Sequence, residues 1–249
     1  IFDWIETDSK SIEKNLKDVN CVINLCGILY ENRTGDFDRV HSELPSLLGE
    51  LCLKNNIETF VHVSALGVSE FSDSKYSRSK AIGDKRLLEN FPKAKILRPS
   101  LLFGKGDNFF GQFSKMSSIS PALPLISKNT RFQPIFVDDV VLAIIKLISK
   151  KDIKGNIFEI GGKFVYTFEE LLKILLDIKN IKRLLIPLSP NLMIFPAFFL
   201  QLLPKPPFTV DQMKLLRKDN ILNGKHPGLE ALDIKATNMK MELTKIYKN

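Results

Sequence analysis

The fold is decided by residues 59 to 104, TFVHVSALGVSEFSDSKYSRSKAIGDKRLLENFPKAKILRPSLLFG. The apolar segments at its two ends, 59–66 and 94–104, are near-continuous and are typical of strands buried on both faces. Between them, residues 75–91 place apolar side chains at helical spacing over a length that suits a crossover helix. The stretch therefore predicts a strand, a helix and a strand, which is the unit of a parallel sheet covered by helices.

This alternation continues on both sides of the stretch. The further predicted helices are 9–19, 43–56 and 167–178, and the further predicted strands are 21–27 and 156–162. The last of these helices has a capping box, formed by Thr167 and Glu170. Residues 1–5 are interpreted as the end of an earlier strand. The pattern predicts the α/β class, with a doubly wound parallel sheet of the Rossmann type.

The character of the chain changes after Gly104, where Gly, Ser and Pro become frequent. We predict a doubly wound domain over residues 1–150, with one further strand near 156–162, and a small C-terminal lobe over 163–249. We expect this lobe to contact a substrate or a partner.

The longest apolar run, 184–204, lies in the C-terminal lobe and is interrupted by prolines before it reaches the roughly 20 residues of a spanning helix. We favour an interpretation as ordinary core of the lobe. The alternative is an exposed patch for a partner or a membrane interface, since Lys182, Arg183 and Lys205 flank the run and basic residues suit anionic lipid.

Charge and cysteine content limit the possible functions. The net charge is +8, but the basic residues are scattered and no nucleic-acid fold signature accompanies them, so we expect no nucleic-acid partner. Cys21, Cys26 and Cys52 form no CxxC pair and are expected to be buried thiols in a reducing compartment. The three His residues, at 41, 62 and 226, have no metal spacing. We therefore expect no metal site, and structural or surface roles for the histidines.

Tyr76 and Lys80 are the main candidates for chemistry. On a helix their spacing places both side chains on one face, directly after a strand that ends near Ser64. An adjacent ammonium would stabilise a phenolate and lower the tyrosine pKa from about 10. The spacing alone is weak evidence, and an exposed helix face is the alternative. At the end of the strand 21–27, Asn24, Cys26 and Gly27 are candidates for cofactor contact, because ligands of such sheets lie beyond the carboxyl ends of the strands.

The motif YxxxK, here Tyr76 and Lys80, together with VINLCG, VHVSALG and ILRPSLLFG, resembles the short-chain dehydrogenase/reductase superfamily, in its branch with the nucleotide-sugar epimerases and dehydratases. The resemblance implies a nicotinamide dinucleotide, NADP(H) or NAD(H). It also implies Tyr76 as acid-base group, Lys80 as ribose ligand, Ser64 as assisting hydroxyl, and Pro99 and Ser100 in a loop along the nicotinamide.

Four further segments, NLCGILYE, RFQPIFVDDV, LPKPPFTVDQMKLLRKDN and PGLEALDIKAT, give a narrower resemblance. They are similar to the dehydrogenase-like accessory subunits of respiratory complex I and their bacterial relatives. This resemblance implies that NADPH is held as a structural or sensing cofactor. It also implies that the C-terminal lobe docks on a respiratory complex or a membrane surface.

The sequence departs from the superfamily pattern in two places. Ser64 is followed by Ala65, where epimerase-type enzymes have a second hydroxyl residue that orients the substrate carbonyl. No G-x-x-G-x-x-G phosphate loop occurs in the chain. Without the strand of that missing unit, the strand 21–27 would present an apolar edge to water. We therefore predict that a strand, a glycine-rich turn and a helix precede Ile1.

Two hypotheses follow. In the first, the protein is a nucleotide-binding accessory subunit at a membrane-associated respiratory assembly. In the second, it is an active NAD(P)-dependent oxidoreductase or epimerase/dehydratase that acts on a sugar nucleotide, a quinone or a small carbonyl through Tyr76. The bias toward Lys, Asn and Ile is typical of an AT-rich genome. We therefore predict a protein of the bacterial cytoplasm, at the periphery of the inner membrane, and take the mitochondrial matrix as the second choice of location.

Overall fold

The computed structural model describes residues 9–150, 152–201, 203, 206 and 208–248. The predicted strand end at residues 1–5 and the flanking Lys205 lie outside these residues. The helices α1 to α10 are Ser9–Asn15, Asp36–Asp38, Leu44–Lys54, Lys75–Asn90, Phe110–Ile119, Val137–Ser149, Phe168–Ile178, Pro190–Leu200, Val210–Leu215 and Met239–Tyr247. The strands β1 to β10 are Cys21–Asn24, Thr59–Val63, Lys95–Pro99, Leu102–Phe103, Ala122–Ile126, Arg131–Phe132, Ile135–Phe136, Ile157–Ile160, Tyr166–Thr167 and Leu184–Leu188. A π-helical segment, Arg39–Glu43, precedes α3, and a short 3₁₀ helix spans Leu229–Leu232.

The central sheet has four parallel strands in the order β1, β2, β3, β8. The predicted strands 21–27, 59–66, 94–104 and 156–162 each contain one of these strands, so the α/β fold with a parallel sheet is confirmed. Strand β8 joins the sheet beside β3, with Ile157 opposite Ile96. The strand predicted near residues 156–162 therefore belongs to the central sheet.

Helices cover both faces of this sheet. On one face, Phe60 and Ile96 pack with Leu51 of α3 and Leu87 of α4. On the other face, Val61 and Leu97 pack with residues of α6. Successive residues of a strand point to opposite faces, and both faces are covered at β2 and β3, so these inner strands need near-continuous apolar runs.

A second core lies outside the sheet, between α5, α7 and α10. Phe110 and Phe113 of α5 pack with Phe168 and Leu172 of α7 and with Leu243 of α10. The predicted capping box of α7 is confirmed, because Thr167 accepts from the Glu170 N–H while the Glu170 carboxylate accepts from the Thr167 N–H. Strand β5 pairs with β10. Both α5 and β5 therefore pack with elements beyond residue 150, and the division of the chain near that residue stays a prediction.

Most described side chains of the apolar run 184–204 lie outside the core, and the favoured interpretation was wrong. It forms β10 and α8, and α8 buries a single described side chain, Ala197. Leu192 is 75% exposed and Phe195 is 73% exposed. The reason is that α8 is apolar around most of its circumference but packs on the protein through one side, where Ala197 meets Ile126 and Met213. Among the helices that the structure describes, none is long and apolar enough to cross a membrane.

The cysteine prediction is correct for Cys52 alone. Cys52 is buried, whereas Cys21 and Cys26 are half-buried. Among the described strands β1 pairs only with β2, which leaves the Ile23 side chain 45% exposed beside Cys21. The strand, glycine-rich turn and helix predicted before Ile1 stay a prediction.

Candidate functional site

Tyr76 and Lys80 lie on the inward face of α4, which begins after the N-cap Ser74. Lys80 is 3% exposed and Tyr76 is half-buried, so the alternative of an exposed helix face is wrong. Asp84 follows on the same face, one further step of four residues along the helix. One helix face therefore presents a phenol, an amine and a carboxylate toward the sheet.

The Lys80 amine lies between the carboxyl ends of β1 and β2. Its Nζ donates to the Val63 carbonyl oxygen at 3.1 Å, and a Cβ placed on Gly27 would lie 3.4 Å from Nζ. Burial lowers the pKa of Lys80 to about 8, while the nearby Asp84 and Cys26 oppose this shift. At neutral pH the site therefore holds a mostly protonated amine beside a residue that has no side chain.

The turn after β1 is held by Asn24. Its Oδ1 accepts from the Cys26 N–H at 3.0 Å. The Asn24 Nδ2 atom is buried and has no hydrogen-bond partner within the described part of the chain. This turn brings Asn24, Cys26 and Gly27 next to Lys80, as the sequence predicted for a ligand-binding edge, although their role as cofactor contacts stays a prediction.

Ser64 directly follows β2, and Pro99 and Ser100 lie at the end of the neighbouring strand β3. The Ser64 hydroxyl is buried near the Asp84 carboxylate and helps to lower its pKa, but it reaches hydrogen-bond geometry with no described residue. The Pro99 carbonyl oxygen accepts from the Leu66 N–H at 2.9 Å. The Ser100 hydroxyl lies 2.7 Å from Asn220 Oδ1, to which it donates. The hydroxyl of Ser100 is thus used within the protein, and the catalytic and cofactor roles of all three residues stay predictions.

The pKa of Tyr76 is shifted in the direction opposite to the one that the spacing predicted. Burial, and to a smaller extent the negative charge of Asp84, raise the pKa of Tyr76 to about 12. The Lys80 amine does not offset these effects, and it is directed at the Val63 carbonyl. Tyr76 is therefore a neutral phenol at physiological pH, able to donate a proton in a hydrogen bond but poorly suited to act as a base.

His41 is a site residue that sequence reasoning missed. It is fully buried in the π-helical segment, and its ring meets the Tyr76 ring edge-on at 5.2 Å between centroids. Its Nε2 lies 3.1 Å from the Ile28 N–H, which donates to it. Its Nδ1 lies 3.0 Å from the Ser79 hydroxyl, which itself donates to the Tyr76 carbonyl oxygen.

These contacts determine the form of the His41 ring. Because Nε2 accepts and the Ser79 hydroxyl has already used its proton, the ring is neutral with its proton on Nδ1. Burial, with a further effect of the Lys80 charge, lowers the pKa of His41 to about 3. No spacing signal in the sequence connects His41 with Tyr76, because the two meet only when the π-helical segment crosses α4.

A second group that the sequence did not reveal lies beneath α4. Arg98 of β3 donates through Nε to Asp84 Oδ2 at 2.9 Å, and its Nη2 lies 2.8 Å from the same oxygen. Glu159 of β8 stands beside Arg98 in the parallel register. His62 lies 3.6 Å from the other Asp84 oxygen, and burial holds its pKa well below the usual range. The site therefore rests on a buried ion pair between the helix and the sheet.

No protein-family model matches the chain. The chain is 31% identical over 242 residues to the mitochondrial NADH dehydrogenase (ubiquinone) 1 alpha subcomplex subunit 9 of Dictyostelium discoideum, covering 96% of this chain and 67% of that protein. It is 31% identical over 251 residues to the Mus musculus protein of the same description, covering 99% of this chain and 66% of that protein. The chain thus spans about two thirds of the length of these relatives.

Solved structures share its fold at low identity. One is UDP-glucuronic acid 4-epimerase from Bacillus cereus in complex with UDP-glucuronic acid and NAD, with a TM-score of 0.63 and 17% identity, over 99% of this chain and 81% of that one. Another is dTDP-4-dehydrorhamnose reductase from Bacillus anthracis in complex with NADP, with a TM-score of 0.66 and 16% identity, over 96% of this chain and 84% of that one. At these identities the likeness shows the fold alone, and it confirms the predicted Rossmann-type architecture.

Proposed function

Since this chain belongs to the family of NADH dehydrogenase (ubiquinone) 1 alpha subcomplex subunit 9, we propose that it binds a nicotinamide dinucleotide at a membrane-associated respiratory assembly. In this proposal the nucleotide is a structural or sensing cofactor. The narrower resemblance that the sequence analysis identified is confirmed by the family membership.

The main support is the Lys80 amine at the carboxyl edge of the sheet. It has three N–H donors but makes one hydrogen bond to a described residue, with the Val63 carbonyl. It lies against Gly27, where a side chain would reduce the free space. Asn24 adds a buried amide nitrogen without a partner in the described chain. Unused donors beside a glycine, beyond the ends of parallel strands, fit the hydroxyl and carbonyl oxygens of a nucleotide.

We assign Lys80 to the ribose of the nicotinamide half, and Asn24, Cys26 and Gly27 to the adenosine half. Tyr76, Ser64 and Pro99 are assigned to the nicotinamide end, and Ser100 contributes through its backbone because Asn220 holds its hydroxyl. A bound nicotinamide can supply hydride transfer. Identification of the nucleotide released from the purified protein distinguishes NADP(H) from NAD(H).

The second candidate function is an active oxidoreductase or epimerase/dehydratase, acting on a sugar nucleotide, a quinone or a small carbonyl. The intact pair of Tyr76 and Lys80 favours it. Two observations favour the accessory role instead. Ala65 stands where a second hydroxyl would orient a substrate, and the raised pKa of Tyr76, about 12, opposes proton abstraction by this residue.

Replacing Tyr76 with Phe separates the two functions. We expect the full-length protein to release NAD(P)(H) on denaturation, and the Tyr76→Phe variant to retain nearly the same amount, because the phenol hydroxyl bonds to no other described residue. If the protein is an enzyme, the same substitution should lower turnover of quinones, sugar nucleotides or small carbonyls by about a hundredfold or more. Tyr166→Phe is the control, since Tyr166 lies on β9 away from this edge. If the wild-type protein contains no nucleotide after purification and binds none that is added, both functions are refuted.

The relatives are described as mitochondrial, which supports the mitochondrial matrix as the location of this chain. This was the second choice from the sequence, and the first choice, a bacterial cytoplasm, has no support from these relatives. We propose that the protein works on the matrix side, attached to its respiratory assembly.

We further propose that α8 is the docking surface. Leu192, Phe195, Phe198 and Phe199 are each more than half exposed on a single helix. Grouped exposed apolar side chains of this kind mark interaction surfaces. Phe195 and Phe199 form an edge-to-face pair at 5.1 Å between centroids. Rigid aromatic side chains in such a cluster are typical of the centre of a protein interface. The occupant we propose is therefore a protein surface of the respiratory assembly.

Replacing Phe195 and Phe199 together with Ser should prevent assembly without unfolding the protein. Burial of each phenylalanine contributes about 1.5–3 kcal/mol, so losing two should weaken docking by at least about a hundredfold. Comigration with the respiratory complex on native gels of mitochondrial membranes measures the effect. Phe71→Ser is the matched control, because Phe71 is 96% exposed on the loop before α4. Undiminished comigration of the double variant would contradict the proposal. If binding to pure anionic vesicles is weakened by the same double substitution to the same extent, the occupant is lipid instead.

A further inference from the structure

The N-terminus of α4 is capped by a residue from the C-terminal lobe. Asp211 of α9 accepts three hydrogen bonds there, from the Ser74 hydroxyl at 2.6 Å, from the Lys75 N–H at 2.7 Å and from the Tyr76 N–H at 3.1 Å. Asp211 is more than 130 residues away from these partners in sequence. The carboxylate thus holds the turn of α4 that presents Tyr76 to the site.

This cap completes the helix terminus. The first N–H groups of a helix have no partner within the helix itself. Here the Ser74 N–H donates to the Ser72 hydroxyl, and the Ser77 N–H donates to the Ser74 hydroxyl. Asp211 accepts from the two N–H groups between them. A carboxylate at this position also interacts favourably with the helix dipole. Removing it leaves the N–H groups of Lys75 and Tyr76 to water.

Helix α9 connects this cap to the proposed docking surface. Met213 of α9 is fully buried against Ala197 of α8 and Ile126 of β5. The next residue of the same short helix, Lys214, donates to the Asp73 carbonyl oxygen at 3.3 Å. Helix α9 is therefore in contact with both α8 and the first turn of α4.

The chain after α9 makes a second connection to the same edge of the sheet. Asn220 donates through Nδ2 to the Leu66 carbonyl oxygen at 3.1 Å, and its Oδ1 accepts from the Leu101 N–H at 3.1 Å. Leu66 and Leu101 lie in the segments that follow β2 and β3. The lobe is thus attached to three segments around the site, and Asp211 provides the attachment to the helix with Tyr76 and Lys80.

We infer that Asp211 is a positioning residue that couples the C-terminal lobe to the nucleotide site, so that docking through α8 and nucleotide binding strengthen each other. The inference rests on the proposed function for its ligand. Coupling of this kind is reciprocal: if docking holds Tyr76 and Lys80 in place for the nucleotide, then the nucleotide must order α9 and α8 for docking.

The test compares Asp211→Asn with wild type in the full-length protein, using NADPH and NADH as probes. The amide keeps the size of the side chain but cannot accept from all three donors. We expect dinucleotide affinity to fall by about tenfold, within the usual range of coupling between sites. We also expect weaker nicotinamide fluorescence at saturation, which a uniform loss of stability would not change. Hydrogen exchange should become faster at residues 75–80, and added nucleotide should protect residues 209–216 in wild type only.

Asp219→Asn is the matched control, because Asp219 also accepts from a backbone N–H and a side chain, both of Arg131, but does not contact α4. It should leave affinity and fluorescence unchanged. Wild-type affinity in Asp211→Asn, or unchanged exchange at residues 75–80, would overturn the inference. If the wild-type protein binds no dinucleotide, the proposed function fails, while faster exchange at 75–80 in Asp211→Asn would still support the link between lobe and helix. Should Asp211→Asn fail to fold, Asp211→Glu, which keeps the charge on a longer side chain, serves the same comparison.

Discussion

Replacing Arg98 with Met should destabilise the protein by about 3–5 kcal/mol, because it leaves the Asp84 carboxylate buried without its cation. Asp84 of α4 is 1% exposed, and its Oδ2 accepts from Arg98 Nε at 2.9 Å and lies 2.8 Å from Arg98 Nη2. Glu159, also buried, stands on the neighbouring strand and adds a second carboxyl to the same space. Urea unfolding followed by circular dichroism measures the loss.

Arg131→Met is the matched control for Arg98→Met. Arg131 makes the same contacts with Asp219, through Nε at 2.9 Å and Nη2 at 2.6 Å, but its side chain is 54% exposed. Exposed pairs of this kind contribute at most about 1 kcal/mol. An equal loss in the two variants would contradict the argument that burial makes the Arg98 pair important.

The loss of stability caused by Arg98→Met should also depend on pH. Burial already raises the pKa of Asp84 above its ordinary value of 3.8, and Arg98 is the largest effect that opposes the rise. Without Arg98 the pKa of Asp84 rises further in the folded protein. A carboxyl with a raised pKa binds its proton more tightly when folded, so acid stabilises the folded state. The deficit should therefore shrink as the pH falls toward 4, and a deficit independent of pH would show that Asp84 is not its source.

Gly83→Ala should destabilise the protein by about 3 kcal/mol or more, at the upper end of what added volume costs in a packed interior. A Cβ at position 83 would lie 1.7 Å from the His41 carbonyl oxygen, where α4 crosses the π-helical segment. Backbone atoms cannot rotate away as a side chain would. The substitution must separate α4 from His41, so we also expect nucleotide affinity to fall as the neighbours of Tyr76 move.

Gly111→Ala is the control for Gly83→Ala. Gly111 also lies in a helix, α5, but a Cβ there would meet its nearest neighbour, the Tyr247 hydroxyl, at 3.7 Å, an ordinary contact. Replacing a helical glycine with Ala at an open position stabilises by at most about 1 kcal/mol. Thermal unfolding of the two variants distinguishes the helix crossing from a general effect of the substitution. If the Gly83→Ala protein is as stable as the Gly111→Ala protein, then α4 and the π-helical segment do not approach each other this closely at Gly83.

The regular elements were predictable because their signals are local. A continuous apolar run marks a strand buried on both faces, and the capping box of Thr167 and Glu170 marks the start of α7 within four residues. The apolar run at 184–204 was located correctly, but its environment was not. Hydropathy measures what a side chain prefers, whereas burial depends on which elements are available to cover it. In the described part of the chain, α8 packs against α9 and β5 through the side that carries Ala197.

The candidate site was predictable only in part, for a related reason. Its residues on α4 and at the ends of β1 to β3 follow from a motif and from the rule that ligands bind beyond the carboxyl ends of parallel strands. His41, Arg98, Asp211 and Asn220 reach the same edge from distant parts of the chain and have no spacing that identifies them.

The amino-acid sequence by itself determined the order of strands and helices, the class of the fold and the position of Tyr76 and Lys80 on one helix face, since each depends on neighbours a few residues apart. Only the tertiary structure decided the ionisation of these groups. The raised pKa of Tyr76 and the lowered pKa of Lys80 come first from burial, and their further shifts come from the Asp84 charge beside them. Desolvation and Coulomb energy depend on distances in space, which packing sets and the spacing along the chain does not.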